Sequence, residues 1–163
     1  FRMAWYKVYY PVEFYATYFS SVVADFDEET ILKGSDAILE KIDLINAKGQ
    51  AATAKEGNEL TVLEVAYEMY SRGYEFADMK LGESDASKFK IKDGKVLLPF
   101  MALNGMGETA ANSFVNEYDA APYETIEDIF KRAKISKSLL EALKLRGVLK
   151  GLPETDQLSF FEI

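Results

Sequence analysis

Hydrophobic residues recur at helical spacing along most of the chain, and they are densest in its first 26 residues. Pro11 separates two helical pieces there, because proline is well tolerated at the first position of a helix. One apolar stripe follows the second piece, formed by Val12, Tyr15, Ala16, Phe19, Val22 and Val23. Phe14 and Tyr18 occupy another face, and a helix that is apolar nearly all round is usually buried. We therefore expect polypeptide outside this sequence to cover these helices.

Two further helices and a small β element are predicted next. The pattern favours a helix over residues 27–48, ended by a glycine, and another over residues 55–72. The period then shortens to two, which predicts strands over residues 75–81 and 88–92 and a third directly after Asp93-Gly94. An Asp-Gly pair between two such runs is typical of a β-hairpin turn. We expect a mainly α fold with a small β element.

The stretch between Pro99 and Pro153 carries the most specific pattern. Gly105, Met106 and Gly107 form a Gly-x-Gly turn directly before a predicted helix that includes Thr109. Such a turn exposes backbone N–H groups at the positive end of the helix dipole, with no Cβ in the way, and this suits a phosphate. Glycines also serve simply to make tight turns, so the motif alone leaves a structural role open.

The same pattern returns 29 residues later along the chain. The corresponding positions are Phe100/Met101 with Ile129/Phe130, Met106 with Ile135, and Ala110/Ala111/Phe114 with Leu139/Leu140/Leu143. In the second copy Lys134 and Ser136 replace the two glycines, and Ser136 is suited to cap the helix that follows. Two helix-turn-helix hairpins in tandem are therefore predicted.

Charge is distributed unevenly over a chain whose formal net charge is −8. Residues 131–150 contain seven basic residues and one acidic residue, a balance of +6, whereas residues 1–130 contain 12 basic and 23 acidic residues. This basic block falls on the second hairpin. Lys134, Ser136, Lys137 and Lys144 are its candidate phosphate contacts, and a solvated helix face is the alternative for the lysines.

The composition excludes several kinds of site. Without Cys or His the chain has no disulfide, no thiolate metal site, no imidazole base and no Ser-His-Asp triad. The acidic cluster of Asp25, Asp27, Glu28 and Glu29 is expected to cap a helix rather than to bind a metal. Neither a membrane-spanning run nor a signal-peptide pattern is present in the sequence. We expect a cytoplasmic segment that binds no membrane, metal or cofactor and is a poor candidate for a stand-alone enzyme.

Two hairpins, one rich in glycine and one rich in lysine, resemble a tandem helix-hairpin-helix domain. This resemblance implies that the domain grips the backbone of double-stranded DNA without reading the base sequence. SAM-like helical domains share the same five-helix packing. A protein-interaction or structural module without DNA binding is therefore the alternative function.

The end of the sequence carries a second recognisable peptide. Gln157-Leu158-Ser159-Phe160-Phe161 resembles the Gln-Leu-Ser/Asp-Leu-Phe peptide by which bacterial polymerases and repair proteins bind the sliding clamp. The resemblance implies that Gln157, Leu158, Ser159, Phe160 and Phe161 contact a clamp. An apolar tail packed on its own domain is the alternative.

The first helices complete the resemblance. The run from Trp5 to Ala16 resembles the lysine-aromatic-proline-glutamate-phenylalanine stretch near the end of the fingers in family C replicative polymerases. With the hairpins and the final peptide, the whole chain resembles the C-terminal part of PolC-type bacterial DNA polymerase III α subunits. The implied domains are the helical end of the fingers (1–74), a small β connector (75–98), the tandem hairpins (99–153) and a flexible tail (154–163).

The same resemblance implies which functions the segment lacks. The aspartates that hold Mg²⁺ in such polymerases belong to a palm that this sequence does not match, so no catalytic residue is expected here. The implied role is to hold duplex DNA and to tether the remainder of the polymerase chain to the clamp.

Overall fold

Helices account for most of the chain, and three short strands interrupt them near its middle. The computed structural model describes residues 2–155, with side chains from residue 4 onward. The described helices are α1 (Arg2–Tyr9), α2 (Pro11–Ser21), α3 (Glu28–Ile31), α4 (Ser35–Lys48), α5 (Ala54–Ser71), α6 (Glu108–Ala120), α7 (Ile126–Ala133) and α8 (Lys137–Leu145). The described strands are β1 (Phe76–Ala77), β2 (Lys90–Lys92) and β3 (Lys95–Leu97). The predicted fold class is confirmed. None of the helices between residues 2 and 155 combines the length and hydrophobicity that a membrane crossing needs.

The aromatic side chains of α2 form part of the core. Pro11 is the first residue of this helix, and Tyr15 and Phe19 are fully buried. The Phe19 ring lies 5.1 Å from the Phe76 ring and 5.8 Å from the Phe89 ring, centroid to centroid, which joins α2 to the strands. By contrast, α1 and the residue after it expose four large apolar side chains, Trp5, Val8, Tyr9 and Tyr10.

The single helix predicted over residues 27–48 is wrong, because the structure breaks it into α3 and α4. Gly34 lies between the two helices with a φ of +104°, a backbone conformation that glycine adopts readily and other residues rarely do. Asp27 caps α3 by accepting a hydrogen bond from the Thr30 N–H at 3.4 Å. The helix predicted over residues 55–72 is confirmed as α5, which begins with a capping box.

The three strands form one small sheet in the order β1-β3-β2, with β1 parallel and β2 antiparallel to β3. Asp93-Gly94 forms the predicted hairpin turn, and both residues have the positive φ that such a turn requires. The strand predicted over residues 75–81 is shorter than expected, since only Phe76–Ala77 pairs. Beyond Ala77 the chain leaves the sheet, and the Lys80 N–H donates its hydrogen bond to the Ser84 side-chain Oγ at 2.8 Å instead of to a neighbouring strand.

One hydrophobic cluster joins both halves of the chain. Its fully buried members extend from Tyr15 in α2 to Leu143 in α8, and Leu149 after α8 also belongs to it. Met106 and Ile135, the apolar residues at the centres of the two predicted turns, are both buried in this cluster. The division into domains at residues 74, 98 and 153 stays a prediction.

Candidate nucleic-acid interface

The first hairpin turn is open towards solvent. It follows a single 3-10 turn at Phe100–Ala102, where a short helix was predicted. The Met106 N–H donates to the Leu103 carbonyl at 3.0 Å, and Gly105 has a φ of +87°. Gly107 then begins α6 without any side chain to cap it. Gly105, Gly107 and Thr109 are all exposed.

Among the described residues, the N–H groups at the start of α6 have no hydrogen-bond acceptor. The first hydrogen bond of this helix runs from the Ala111 N–H to the Gly107 carbonyl at 2.9 Å. Within residues 2–155 no acceptor is present for the N–H groups of Gly107, Glu108 or Thr109. Free N–H groups at a helix N-terminus favour an anion. The geometry suits the predicted phosphate contact.

The second hairpin turn has the same backbone shape as the first. Lys134 ends α7 in the left-handed conformation, with a φ of +54°. Gly105, the equivalent residue of the first copy, also has a positive φ. Ser136 begins α8 with φ −68° and ψ 156°, close to the −76° and 170° of Gly107. Its hydroxyl accepts a hydrogen bond from the Leu139 N–H at 3.3 Å, which fulfils the predicted cap. The sequence repeat is thus matched by the backbone conformation at the two turns and the helix starts that follow them, but not by the element before each turn.

The two turns lie side by side. A Cβ placed on Gly105 would be 3.7 Å from Cδ2 of Leu139, which belongs to the first turn of α8. Ser113 of α6 donates a hydrogen bond at 2.9 Å to the carbonyl of Ala133, the residue directly before Lys134. These contacts place the first turn beside the start of α8 and α6 beside the end of α7.

The basic block divides into paired and unpaired side chains. Arg132 binds Asp128 at 3.0 Å and the Ala121 carbonyl at 2.7 Å, and it lies 4.9 Å from the centre of the Tyr123 ring. Arg146 binds Asp78 at 2.7 Å. Both arginines therefore hold the fold together and are not free to bind a ligand.

The lysines of the block differ among themselves. Lys144 is predicted as a phosphate contact, yet it binds Glu154 at 2.6 Å and lies 3.6 Å from Glu141. Its hydrogen bond to Glu154 raises the pKa of the Lys144 ammonium. Lys134 and Lys137 are exposed, and within the described part of the chain neither has a hydrogen-bond or ion-pair partner. Lys150, which the sequence did not single out, is also exposed and unpaired there.

The first turn also lines an acidic cleft. The cleft has a volume of about 590 Å³, and residues 101–107 form one wall. Asp25, Asp27, Glu28, Glu29 and Glu59 contribute to the remaining walls, together with Lys41 and Lys55. Because carboxylates repel phosphates, these acidic residues oppose a polyanion within the cleft, whereas Lys134 and Lys137 attract one at the second turn.

The predicted clamp peptide, residues 157–161, lies outside the described residues. The chain is held to the start of α7 just before it. The N–H groups of Ile126 and Glu127 donate to the carbonyls of Pro153 and Glu154, at 3.0 and 3.1 Å.

Comparison with known proteins agrees with this geometry. The family described as "Helix-hairpin-helix motif" matches residues 73–157, which include the sheet and both turns. Over nearly its whole length the chain also matches part of several proteins named "DNA polymerase III PolC-type". It is 47% identical over 161 residues to the protein from Caldanaerobacter subterraneus subsp. tengcongensis, 45% identical over 160 to that from Halalkalibacterium halodurans, and 42% identical over 160 to that from Bacillus subtilis.

The alignments span nearly all of this chain but only a small part of each relative. They span 98% or 99% of this chain but only 11% or 12% of the length of the polymerases. The resemblance to a segment of PolC-type polymerases, expected from the sequence, is confirmed. Because the family model matches residues 73–157, which include both turns, the chain belongs to the helix-hairpin-helix family.

Proposed function

We propose that the chain is a non-catalytic segment of a bacterial replicative DNA polymerase that grips the backbone of duplex DNA without reading its sequence. The observation that carries the proposal is the pair of adjacent turns. Within residues 2–155, one turn has no acceptor for the N–H groups that begin α6, and the other carries the ammonium groups of Lys134 and Lys137 without an ion-pair partner. Backbone N–H groups and lysines contact phosphates, which every DNA sequence presents alike.

The proposal assigns catalysis to other parts of the polymerase. The chain contains no His or Cys, and no group of three or more acidic residues within residues 2–155 is arranged to hold a metal. In this proposal the Mg²⁺ and its aspartates belong to the remainder of the polymerase chain. The segment would act in the bacterial cytoplasm, where the chromosome is replicated.

The remainder of the polymerase is also the proposed partner of α1. Trp5, Val8, Tyr9 and Tyr10 expose between 48% and 66% of their surface in one short stretch. Adjacent exposed apolar side chains are typical of a surface that another polypeptide covers. Since the similar polymerases are about eight times longer than the matched segment, such polypeptide is available in them.

The final peptide is proposed to tether the polymerase to the sliding clamp. The support is the resemblance of residues 157–161 to clamp-binding peptides and their place directly after a segment held to α7. Tethering keeps the enzyme at a high local concentration on its template without any new catalytic contact.

The test is a titration of the 163-residue chain against several short duplexes of unrelated sequence at increasing salt, followed by fluorescence anisotropy. We expect similar affinity for each duplex, with the logarithm of the binding constant falling linearly with the logarithm of salt concentration. A chain that binds no duplex at low salt would instead be a SAM-like interaction or structural module. Binding confined to one sequence would contradict backbone gripping.

Lys33→Ala is the matched control for alanine substitutions of Lys134 and Lys137 in this titration. Lys33 is exposed and has no ion-pair partner within the described residues, but it lies between α3 and α4, outside both hairpins. Its loss removes one positive charge without touching either turn. Affinity equal to that of the unmodified chain would show that position, and not net charge alone, decides binding.

A further inference from the structure

A buried carboxylate links the two hairpins. Glu28 is the first residue of α3, and only 3% of its surface is exposed. Its Oε1 accepts a hydrogen bond from the backbone N–H of Asn104, the residue before Gly105, at 3.2 Å. The same oxygen lies 3.7 Å from Nη2 of Arg146, the residue that ends α8. One side chain therefore connects the first turn with the end of the second hairpin.

Arg146 is itself fixed from a second direction. Its Nη1 donates to Oδ1 of Asp78, directly after β1, at 2.7 Å, and only 17% of the arginine side chain is exposed. The guanidinium thus lies between two carboxylates that are 50 residues apart in the sequence. The guanidinium group is planar and rigid, so a carboxylate on either side fixes its orientation. The position of Glu28 is thereby coupled to that of Asp78 and of the end of α8.

We propose that Glu28 and Arg146 are positioning residues that align the first turn with the second hairpin, so that both turns engage one duplex together. This inference rests on the proposed DNA-binding function. When two weak contacts are held in the correct relative position, the second forms at high effective concentration once the first has formed. When the alignment is lost, each contact must form separately.

The decisive variant is Glu28→Gln, because positioning and electrostatics predict opposite results for it. The amide keeps the shape of the side chain and an oxygen for the Asn104 N–H, but it loses the attraction to Arg146. Removing a negative charge beside a DNA site strengthens binding if only long-range electrostatics matters. We expect Glu28→Gln to weaken duplex binding by about tenfold and to flatten the salt dependence, because fewer phosphates are contacted at once.

Glu29→Gln is the matched control. It makes the same change of charge at the next residue of α3, but Glu29 is exposed and forms no ion pair among the described residues. Its duplex affinity should equal or slightly exceed that of the unmodified chain. Equal strengthening of binding by both substitutions would overturn the positioning role.

A double-mutant cycle separates positioning from a general loss of fold. In a chain that already carries Lys134→Ala and Lys137→Ala, the second turn no longer contacts the duplex. The alignment of the two turns then no longer affects duplex affinity. Glu28→Gln should then change affinity by less than about twofold. A loss of affinity as large as in the unmodified chain would show that the residue acts only through stability, and would refute the proposal.

Asp78→Asn supplies a milder variant that leaves the buried carboxylate intact. It removes the negative charge of one partner of Arg146, but not its acceptor oxygen, at a side chain that is 43% exposed, so the fold should survive. We expect a weaker loss of duplex affinity in the same direction as for Glu28→Gln, and no loss would contradict the inference. Absence of duplex binding by the unmodified chain would instead defeat the proposed function, which distinguishes the two failures.

Discussion

Gly105 and Lys134 occupy equivalent positions in successive turns and share a left-handed backbone, with φ values of +87° and +54°. Glycine adopts this conformation without strain, whereas a residue with a Cβ is disfavoured in it by about 1–2 kcal/mol. A strained residue of this kind points to a use for its side chain. At Lys134 the side chain carries an ammonium group that has no ion-pair partner among residues 2–155, and the strain holds it at the second turn.

Substituting Lys134 by glycine should separate stability from binding. We expect Lys134→Gly to raise the free energy of unfolding by up to about 1 kcal/mol, because the relief of strain outweighs the added freedom of the unfolded chain. Lys134→Ala keeps the strain and should not gain this stability. Denaturant unfolding measures the difference, and duplex affinity should fall equally in both variants. A smaller loss of affinity for one of them would show that the backbone, not the charge, carries the contact.

The two glycines of the first turn should respond differently to alanine. Gly107 has a φ of −76° and open space around its Cα, so Gly107→Ala should cost less than about 1 kcal/mol of stability. The new methyl group would nevertheless stand where a phosphate has to approach, so duplex affinity should fall. Gly105→Ala should destabilise the fold by about 1 kcal/mol through its positive φ. Unchanged duplex affinity in folded Gly107→Ala would count against a phosphate contact at this turn.

Ion pairing within the basic block should predict which lysines contact DNA. Each phosphate contact contributes a slope of about −0.9 to the dependence of log K on log salt concentration. Replacing Lys134 and Lys137 together by alanine should therefore reduce the slope by about 1.8 if each makes one contact, equally for all sequences. Lys144→Ala should change the slope less, because Glu154 and Glu141 already neutralise that ammonium group. A larger change of slope for Lys144→Ala than for the double substitution of Lys134 and Lys137 would contradict this prediction.

The buried Glu28 should leave a signature in the pH dependence of stability. Burial raises the pKa of its carboxyl above the ordinary value, against the opposing effects of the Asn104 N–H and Arg146. The folded chain therefore binds this proton more tightly than the unfolded chain. As pH falls from 7 towards 4, the unmodified chain should gain stability relative to Glu28→Gln. The acids that both chains share cancel in the comparison, which thermal unfolding across this range can measure.

Removing residues 157–163 should abolish clamp binding and leave duplex binding nearly unchanged. Leu158, Phe160 and Phe161 would be the apolar anchors of a small interface, so their loss should cost about 2 kcal/mol or more of binding free energy. The truncation spares the hydrogen bonds of Pro153 and Glu154 to α7, so the hairpins should remain folded. The measurement is a paired titration of both chains against clamp and against duplex. Loss of the fold would show that the peptide belongs to the core.

Local chemistry explains what the sequence determined. The turn at Asp93-Gly94, helix α5 and the two hairpin turns each depend on the spacing of residues within one short stretch. Such spacing is written directly in the chain, and the repeat at 29 residues allowed the second turn to be found from the first. The single helix predicted over residues 27–48 failed for a related reason. Its apolar spacing continues across Gly34, which adopts a φ that no helix contains.

Only the tertiary structure decided which charges are available to a ligand. In the sequence, Arg132, Lys134, Lys144 and Arg146 are equivalent members of one basic block. In the fold, Arg146 meets Asp78 and Glu28, which are 68 and 118 positions away, and its charge is neutralised. Contacts between residues so far apart depend on how the whole chain packs, and no local pattern encodes them. In the sequence Glu28 is one of four similar acidic residues, and only the fold shows it buried against Asn104 and Arg146, 76 and 118 positions away.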